Sequence, residues 1–330
     1  MPRPSFFIAG HSKSGTTALA RFLGQHPALF LCSPKEPNYF CPSFWRVKPT
    51  DRRTEGAPRS AFEGWTEAEY LALFDGAAPG QRCGEASAAY LYSDEAAERI
   101  HAFDPEARII MIFREPVSFL RSYHLQLLKN AAAEGETVRD LGEAIRLEPA
   151  RRRGEHLPEG CRLPEFLYYT TDRLAYDVHY DRFAAVFPEE QILALLYDDF
   201  RSDNAGTVRR VFSFLGVDPA FEPAFGEHNM GGRSLRSRRA QAWMHQLTMG
   251  RGPLGRVKPL VKALVPPALR RRATRAGYER FVYDEAPPVD PAVAAHIRAA
   301  ARPHVEALGE RLGRDLIAEW GYASVSEAAV

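Results

Sequence analysis

Residues Phe6–Leu19, FFIAGHSKSGTTAL, decide the fold. Ser5–Ala9 is a short apolar run bounded by Gly10, the pattern of a buried strand. Thr16–Gln25 follows with Leu19, Phe22 and Leu23 on one helical face. A strand running through a glycine-bearing loop into a helix gathers backbone N–H groups and the positive end of the helix dipole, a ready anion site. Gly10 and Gly15 allow close backbone approach, Lys13 supplies an ammonium, and Thr16 and Thr17 supply hydroxyl donors. The competing description, a tight turn with a solvated lysine, does not require strand, loop, lysine and paired threonines to coincide.

The same alternation continues outward. Arg108–Phe113 (RIIMIF) reads as a second buried strand, and Arg114–Asn130 as a helix with Pro116 suited to its first turn. Gln191–Tyr197 (QILALLY) is a third strand. Val208, Val211, Phe212 and Leu215 then mark an amphipathic helix that stops at Gly216. Strands alternating with helices predict an α/β fold: a single P-loop-like three-layer domain over 1–330, with a central parallel sheet flanked by helices. Two irregular insertions, about 41–80 and 131–171, are expected on the acceptor side, and a helical C-terminal part over about 240–330. No repeat period is visible.

Length and charge bound the class. With 330 residues the chain is long enough for two domains, although α/β folds often use this length for one. Lys+Arg 43 against Asp+Glu 42 leaves a net charge of +1, which argues against nucleic-acid coating and requires any anion site to be built locally. No apolar run approaches the ~20 residues of a membrane span, and the N-terminus lacks a signal-peptide pattern, so a cytoplasmic protein is expected. Cys32, Cys41, Cys83 and Cys161 lack CxxC spacing and read as reduced thiols. Neither HExxH nor paired Cys/His spacing occurs, so no metal site is expected.

A Walker A loop, GxxxxGK[ST], needs lysine directly after its second glycine. Here Lys13 precedes Gly15 by two residues, and Thr16 stands at the lysine position. The loop suits a phosphate without Walker geometry, and Asp198 and Asp199 after the third strand read as strand-end or cap residues. A P-loop nucleotide-dependent kinase and a non-catalytic nucleotide- or glycan-binding protein remain the alternatives.

FFIAGHSKSGTTAL resembles the 5′-phosphosulfate loop of sulfotransferases that use 3′-phosphoadenosine 5′-phosphosulfate (PAPS), and is similar to the bacterial-type carbohydrate and heparan sulfate branch. Arg114 ending a core strand, with Ser122 eight residues later, resembles that family's second mark. The likeness runs on through Phe187–Pro219 to the Trp320 region. It implies a transferase that moves a sulfuryl group from PAPS, releasing PAP, to a hydroxyl or amine of a glycan, glycolipid or small natural product by in-line displacement, without a metal. It further implies that Lys13, Ser14, Gly15, Thr16, Thr17 and Ala18 hold the phosphosulfate, that Lys13 steadies the leaving oxygen, and that Arg114 and Ser122 bind the 3′-phosphate.

Three further assignments rest on the same likeness. The segment His228–Arg239, with Arg236, Ser237 and Arg238, resembles a late basic loop over the 3′-phosphate; a solvated basic helix start is equally open. Lys35-Glu36-Pro37-Asn38-Tyr39-Phe40 resembles the segment whose Glu deprotonates the acceptor, which makes Glu36 the candidate base and Lys35 a holder of acceptor or sulfuryl oxygens, with Tyr39 on the acceptor side. Glu85 and His124 stay open as competing bases or acceptor contacts.

The chemistry agrees with these residue types. An acceptor hydroxyl is a poor nucleophile at neutral pH, and a carboxylate can take its proton as the new bond forms. The arginine fork suits a phosphate. Trp45, Trp65, Tyr168 and Tyr169 are candidates for stacking on an acceptor ring or for local core. The basic stretch 251–280 suits an anionic acceptor, a peripheral membrane contact or a solvated helix face.

Overall fold

The computed structural model describes residues 2–45, 63–129, 135–161, 163–225, 233–235, 283–285 and 288–322. In chain order the elements that build the sheet and its flanks are β1 (Pro4–Gly10), α1 (Thr16–Leu23), β2 (Leu29–Leu31), α2 (Glu67–Leu71), β3 (Arg82–Ala86), α3 (Ala96–Phe103), β4 (Arg108–Phe113) and α4 (Pro116–Lys129). After them come α5 (Leu141–Arg146), α6 (Glu148–Arg152), α7 (Tyr176–Ala184), β5 (Ile192–Leu196), α8 (Tyr197–Ser202) and α9 (Asn204–Leu215). A strand pair β6 (Arg233–Leu235) and β7 (Tyr283–Glu285) precedes α10 (Pro291–Leu312) and α11 (Leu316–Glu319).

Five strands form one sheet in the order β2-β3-β1-β4-β5, every neighbouring pair parallel. Side chains alternate across it, as the two-residue period of a strand requires. Phe7, Ala9, Ile109, Met111 and Phe113 face one core, shared with Phe119 and Leu120 of α4, Tyr176 of α7 and Ile297 of α10. Phe6, Ile8, Ile110 and Ile112 face the other, shared with Leu19 and Phe22 of α1 and Val211 and Phe212 of α9. Strands covered on both faces read as continuous apolar runs. This accounts for the legibility of β1, β4 and β5.

The order places a topological switch between β1 and β4. From β1 the chain crosses toward β2 and β3, and from β4 it crosses to β5. Ligands of open α/β sheets bind in the crevice at such a point, beyond the carboxyl ends of the strands. The two loops that border it begin at Gly10 and Arg114.

The insertions carry more structure than their composition suggests. In the first, Thr66 and Glu69 form a capping box at the start of α2. In the second, α5 and α6 are tied down by a buried ion pair. Arg151 donates from Nη1 and Nη2 to Glu136 at 2.7 and 2.9 Å, and Tyr169 donates to the same carboxylate at 2.8 Å. Glu148, also buried, accepts the amides and hydroxyls of Thr170 and Thr171. Helices that short lack intrinsic stability and depend on such tertiary anchors. Tyr169 therefore belongs to the core, while Tyr168 lies under the Arg152 guanidinium.

At the C-terminal end, α10 begins at the Asp290 cap and stops at Gly313 in a left-handed conformation. It is fixed to α7 by His304–Asp177 at 2.7 Å and Arg311–Asp181 at 2.5 Å. No helix among the described residues is long and apolar enough to cross a membrane. The stretch 251–280 and the segment Arg236, Ser237 and Arg238 lie outside the described residues. Cys32, Cys41, Cys83 and Cys161 are all free thiols.

Candidate active site

The loop after β1 is shaped by its backbone. Gly10 has φ 150°, and a Cβ there would meet Leu91 Cβ at 2.7 Å. Gly15 caps α1 with φ 89°, and a Cβ there would meet the Phe200 ring at 2.9 Å. Both positions thus need glycine for conformation and for space. No side chain caps α1. The first-turn N–H groups, those of Thr16, Thr17 and Ala18 among them, have no intrahelical acceptor and are free for a ligand. Lys13, at φ 61°, bends left-handed between the two glycines.

Underneath, His11 is fully buried and neutral. Its Nε2–H donates to the Arg173 carbonyl at 3.2 Å, and Nδ1 faces the Tyr92 hydroxyl at 3.4 Å. Burial pushes its pKa down to about 3, and the nearby Arg173 and Arg114 charges act in the same direction. The Tyr92 hydroxyl also meets Ser12 Oγ at 2.9 Å, and Arg173 stacks on the Tyr92 ring at 4.0 Å. His11, Tyr92 and Arg173 thus form the floor of the loop. The partners that give His11 this place lie far along the chain, Tyr92 by 81 residues and Arg173 by 162, so the floor forms only in the fold.

Arg114 leaves the end of β4 and reaches across to the loop. It donates from Nη1 to the Lys13 carbonyl at 2.8 Å and from Nε to Ser118 Oγ at 3.0 Å, and its guanidinium lies 4.4 Å from the Tyr197 ring centre. It pairs with neither Glu115 nor Asp199. Glu115 faces Arg298 at 3.7 Å and receives the Ser118 amide, and Asp199 is held by Arg314. Along α4, Ser118, Ser122 and Gln126 follow at four-residue steps, so they share a helical face. Gln126 accepts from the Lys13 ammonium at 3.1 Å. Ser122 is buried on that face; the arginine bonds Ser118, one turn earlier.

Lys13 and Arg114 repel one another electrostatically. The Lys13 pKa is lowered, mainly by burial and then by Arg114; Glu36 opposes the shift and Lys35 adds to it. The four groups therefore occupy one electrostatic neighbourhood. Lys35 and Glu36 bond each other at 2.5 Å, with the Glu36 carboxylate about half exposed. Glu36 and Asn38 both have left-handed backbones, at φ 61° and 54°. The turn is held by Glu36 N–H to the Ala86 carbonyl at 3.1 Å, which places it over the end of β3.

The other candidates lie deeper. Glu85 is fully buried, and its carboxylate accepts hydroxyls from Tyr70, Tyr90 and Ser87 at 2.8, 2.6 and 2.9 Å. Burial raises its pKa to about 7 against the pull of those three hydroxyls. His124 is buried among Tyr169 Oη (2.9 Å) and the Arg139 carbonyl (3.0 Å), beside the Glu136–Arg151 pair and away from the loop. Tyr39 stacks on Tyr70 at 4.1 Å and lines a cleft of about 510 Å³ with Trp45, Trp65, Glu67, Arg99 and Phe103. Among the described residues no group of three or more His, Cys, Asp or Glu side chains is arranged to hold a metal ion.

The model of the sulfotransferase family matches residues 4–223. Carbohydrate sulfotransferase 15 of Mus musculus is 28% identical over 268 residues, covering 66% of this chain and 45% of the relative. Heparan sulfate glucosamine 3-O-sulfotransferase 6 of Homo sapiens is 28% identical over 214 residues, covering 65% of this chain and 52% of the relative. The chain thus spans about half the length of these curated relatives. A sulfotransferase structure from Alicyclobacillus acidocaldarius superposes over 97% of this chain and 99% of its own, with a TM-score of 0.66 at 24% identity, a likeness of fold. Since the family match takes in both loops at the switch point, β1 through α9 together, this chain belongs to the sulfotransferase family.

Proposed function

We propose that the chain transfers a sulfuryl group from PAPS to a hydroxyl or amine of a carbohydrate-containing acceptor. The observation that carries this reading is the pairing of Lys13 and Arg114 across the switch-point crevice. Among the described residues no carboxylate ion-pairs with either cation; Lys13 bonds only the neutral Gln126 amide. Two neighbouring cations with no carboxylate ion-paired to either among the described residues, beside uncapped helix N–H groups, fit a ligand that brings several negative charges. A nucleotide phosphorylated at both ends of its nucleoside has that charge distribution, and PAPS supplies the sulfuryl group when bound. The carbohydrate names of the relatives support the acceptor class.

Each residue then has a task. The N–H groups of Gly15 to Ala18, the Ser14 hydroxyl and the Thr16 and Thr17 hydroxyls grip the phosphosulfate end. Lys13 places its ammonium where charge develops on the leaving oxygen, the kind of stabilisation that dominates group transfer of this type. Arg114, with Ser118 fixing its Nε and Ser122 on the same helical face, takes the 3′-phosphate end. Glu36 takes the acceptor proton, and Lys35 neutralises it between turnovers and steadies the acceptor oxygen.

The test is to incubate the purified chain with ³⁵S-labelled PAPS and a panel of glycosaminoglycan oligosaccharides, glycolipids and small hydroxylated natural products. Label transfer to at least one acceptor, lost in Glu36→Gln, is expected. Turnover that needs ATP and magnesium instead would replace this reading with a kinase. Tight binding of adenosine 3′,5′-bisphosphate with no transfer to any acceptor would replace it with a binding protein.

A further inference from the structure

Glu85 is a costly feature that the proposed chemistry does not use. A carboxylate with no exposed surface normally has a cation or a metal beside it. Here, among the described residues, only hydroxyls bond it: Tyr70 and Tyr90 on Oε1, Ser87 on Oε2. Two of these hydroxyls do a second job. Ser87 Oγ accepts the Asn38 amide at 3.1 Å, and the Tyr90 hydroxyl accepts the Phe40 amide at 3.4 Å.

A hydroxyl has one proton to give and lone pairs to receive with. The Glu85 carboxyl oxygens receive all three hydroxyls, so the Ser87 and Tyr90 protons point toward it. Their oxygens are then turned to receive Asn38 and Phe40. These amides belong to the segment whose backbone is left-handed at Glu36 and Asn38, a conformation that persists in non-glycine residues only when the surroundings hold it. One further tie reaches β3, Glu36 N–H to Ala86 O; the others are local, Asn38 Nδ2 to Glu36 O at 3.0 Å, and Trp45 Nε1 at 2.8 Å and the Cys41 amide and thiol to Asn38 O.

We propose that Glu85 is a positioning residue: its carboxylate directs the Ser87 and Tyr90 hydroxyls, and through them locks the Lys35–Phe40 turn so that Glu36 and Lys35 stand beside Lys13. The inference rests on the reading of Glu36 as the base. Glutamine at position 85 would present an NH₂ donor to at least one of the hydroxyls, reverse it, and release the amide behind it.

The experiment compares Glu85→Gln, Ser87→Ala and Glu36→Gln, together with the Ser87→Ala/Glu36→Gln double variant, by steady-state kinetics with PAPS. Adenosine 3′,5′-bisphosphate binding and amide hydrogen exchange at Asn38 and Phe40 are read on the same proteins. The expected result is a kcat loss of about tenfold or more in Glu85→Gln and Ser87→Ala, bisphosphate affinity within about twofold of wild type, and faster exchange at Asn38. The double variant is expected to be no slower than Glu36→Gln alone, because both changes act through one group. Should Glu85→Gln fail to fold, Ser87→Ala carries the test. Multiplicative losses in the double variant, or unchanged kcat and unchanged exchange in a folded Ser87→Ala, would overturn the proposal. Wild-type turnover in Glu36→Gln would instead remove the base assignment, and exchange at Asn38 would still decide whether the carboxylate sets the turn.

Discussion

Arg114 Nη1 donates to the backbone carbonyl of Lys13 at 2.8 Å. This bond joins the loop after β1 to the end of β4 across the switch point. It also turns the Lys13 peptide so that its carbonyl faces the arginine. With Nε on Ser118, the guanidinium keeps Nη2 without a protein acceptor among the described residues. Arg114→Ala is therefore expected to weaken adenosine 3′,5′-bisphosphate binding by about 10- to 100-fold, the worth of a charge-assisted hydrogen bond, measured by titration calorimetry. Arg114→Lys restores charge without the fork and should recover only part of it. An affinity within about twofold of wild type in Arg114→Ala would detach this residue from the donor site.

Lys13 is expected to act mainly on rate. Its ammonium donates to Gln126, and in the proposed mechanism it stabilises the leaving oxygen. Lys13→Met should lower kcat by about 10²- to 10³-fold with a smaller change in acceptor KM, as when a transition-state charge partner is removed. Steady-state kinetics with PAPS checks this; equal kcat in variant and wild type would contradict it.

Gly15 links conformation to packing. Gly15→Ala puts a Cβ on a residue at φ 89° and 2.9 Å from the Phe200 ring. A loss of about 1–3 kcal/mol is expected from backbone strain, read by urea unfolding. Phe200→Leu in the same chain should relieve the clash and leave the strain. Full recovery in that double variant would show that φ at position 15 carries no cost.

The buried Arg151–Glu136 pair makes a sharper stability prediction. Arg151→Met strips the buried Glu136 carboxylate of both guanidinium hydrogen bonds, while Tyr169 and the Thr137 and Val138 amides still donate to it. Removing one partner of such a pair costs about 3–5 kcal/mol. The urea midpoint should fall accordingly, and a change under about 1 kcal/mol would mean that α5 and α6 do not depend on this anchor.

The pH dependence of stability can be isolated at His11. Its pKa is about 3 in the folded protein against an ordinary 6.5. Between those values the unfolded chain binds more protons than the folded one, so this site costs stability as pH falls through 6.5. His11→Asn lacks that site. The stability gap between wild type and variant should therefore shrink by about 1.4 kcal/mol on going from pH 7.5 to 5.5. Parallel stability curves would show that His11 titrates normally.

How far the sequence could be read follows from the same physics. Strands β1, β4 and β5 are apolar runs because both faces are covered. Strand β3, Arg-Cys-Gly-Glu-Ala, carries no such run, since its Glu85 is buried on hydroxyls instead of exposed. Three-residue β2 is too short for any periodicity. Lys13 and Arg114 are legible as cations in the loops that follow apolar strands, whereas Lys35 and Glu36 are legible through their segment's resemblance to the one that carries the family's base. Ser118 carries no sequence signal of its own: the helix begins at Pro116, and a serine in its first turn faces back toward the strand end, where Arg114 Nε meets it. Gln126 and Tyr92 meet their partners only through the fold, 113 and 80 residues away. The helices of the second insertion were hidden because a long-range ion pair, and no periodic pattern, stabilises them.

Binding of adenosine 3′,5′-bisphosphate to wild type, Lys13→Ala and Arg114→Ala, with ATP plus magnesium as the competing ligand, tests the central claim most directly. The expected result is saturable bisphosphate binding that PAPS displaces, that ATP does not match, and that each substitution weakens by about tenfold or more. Binding of ATP in preference to the bisphosphate, or bisphosphate binding untouched by both substitutions, would contradict a donor site built from Lys13 and Arg114.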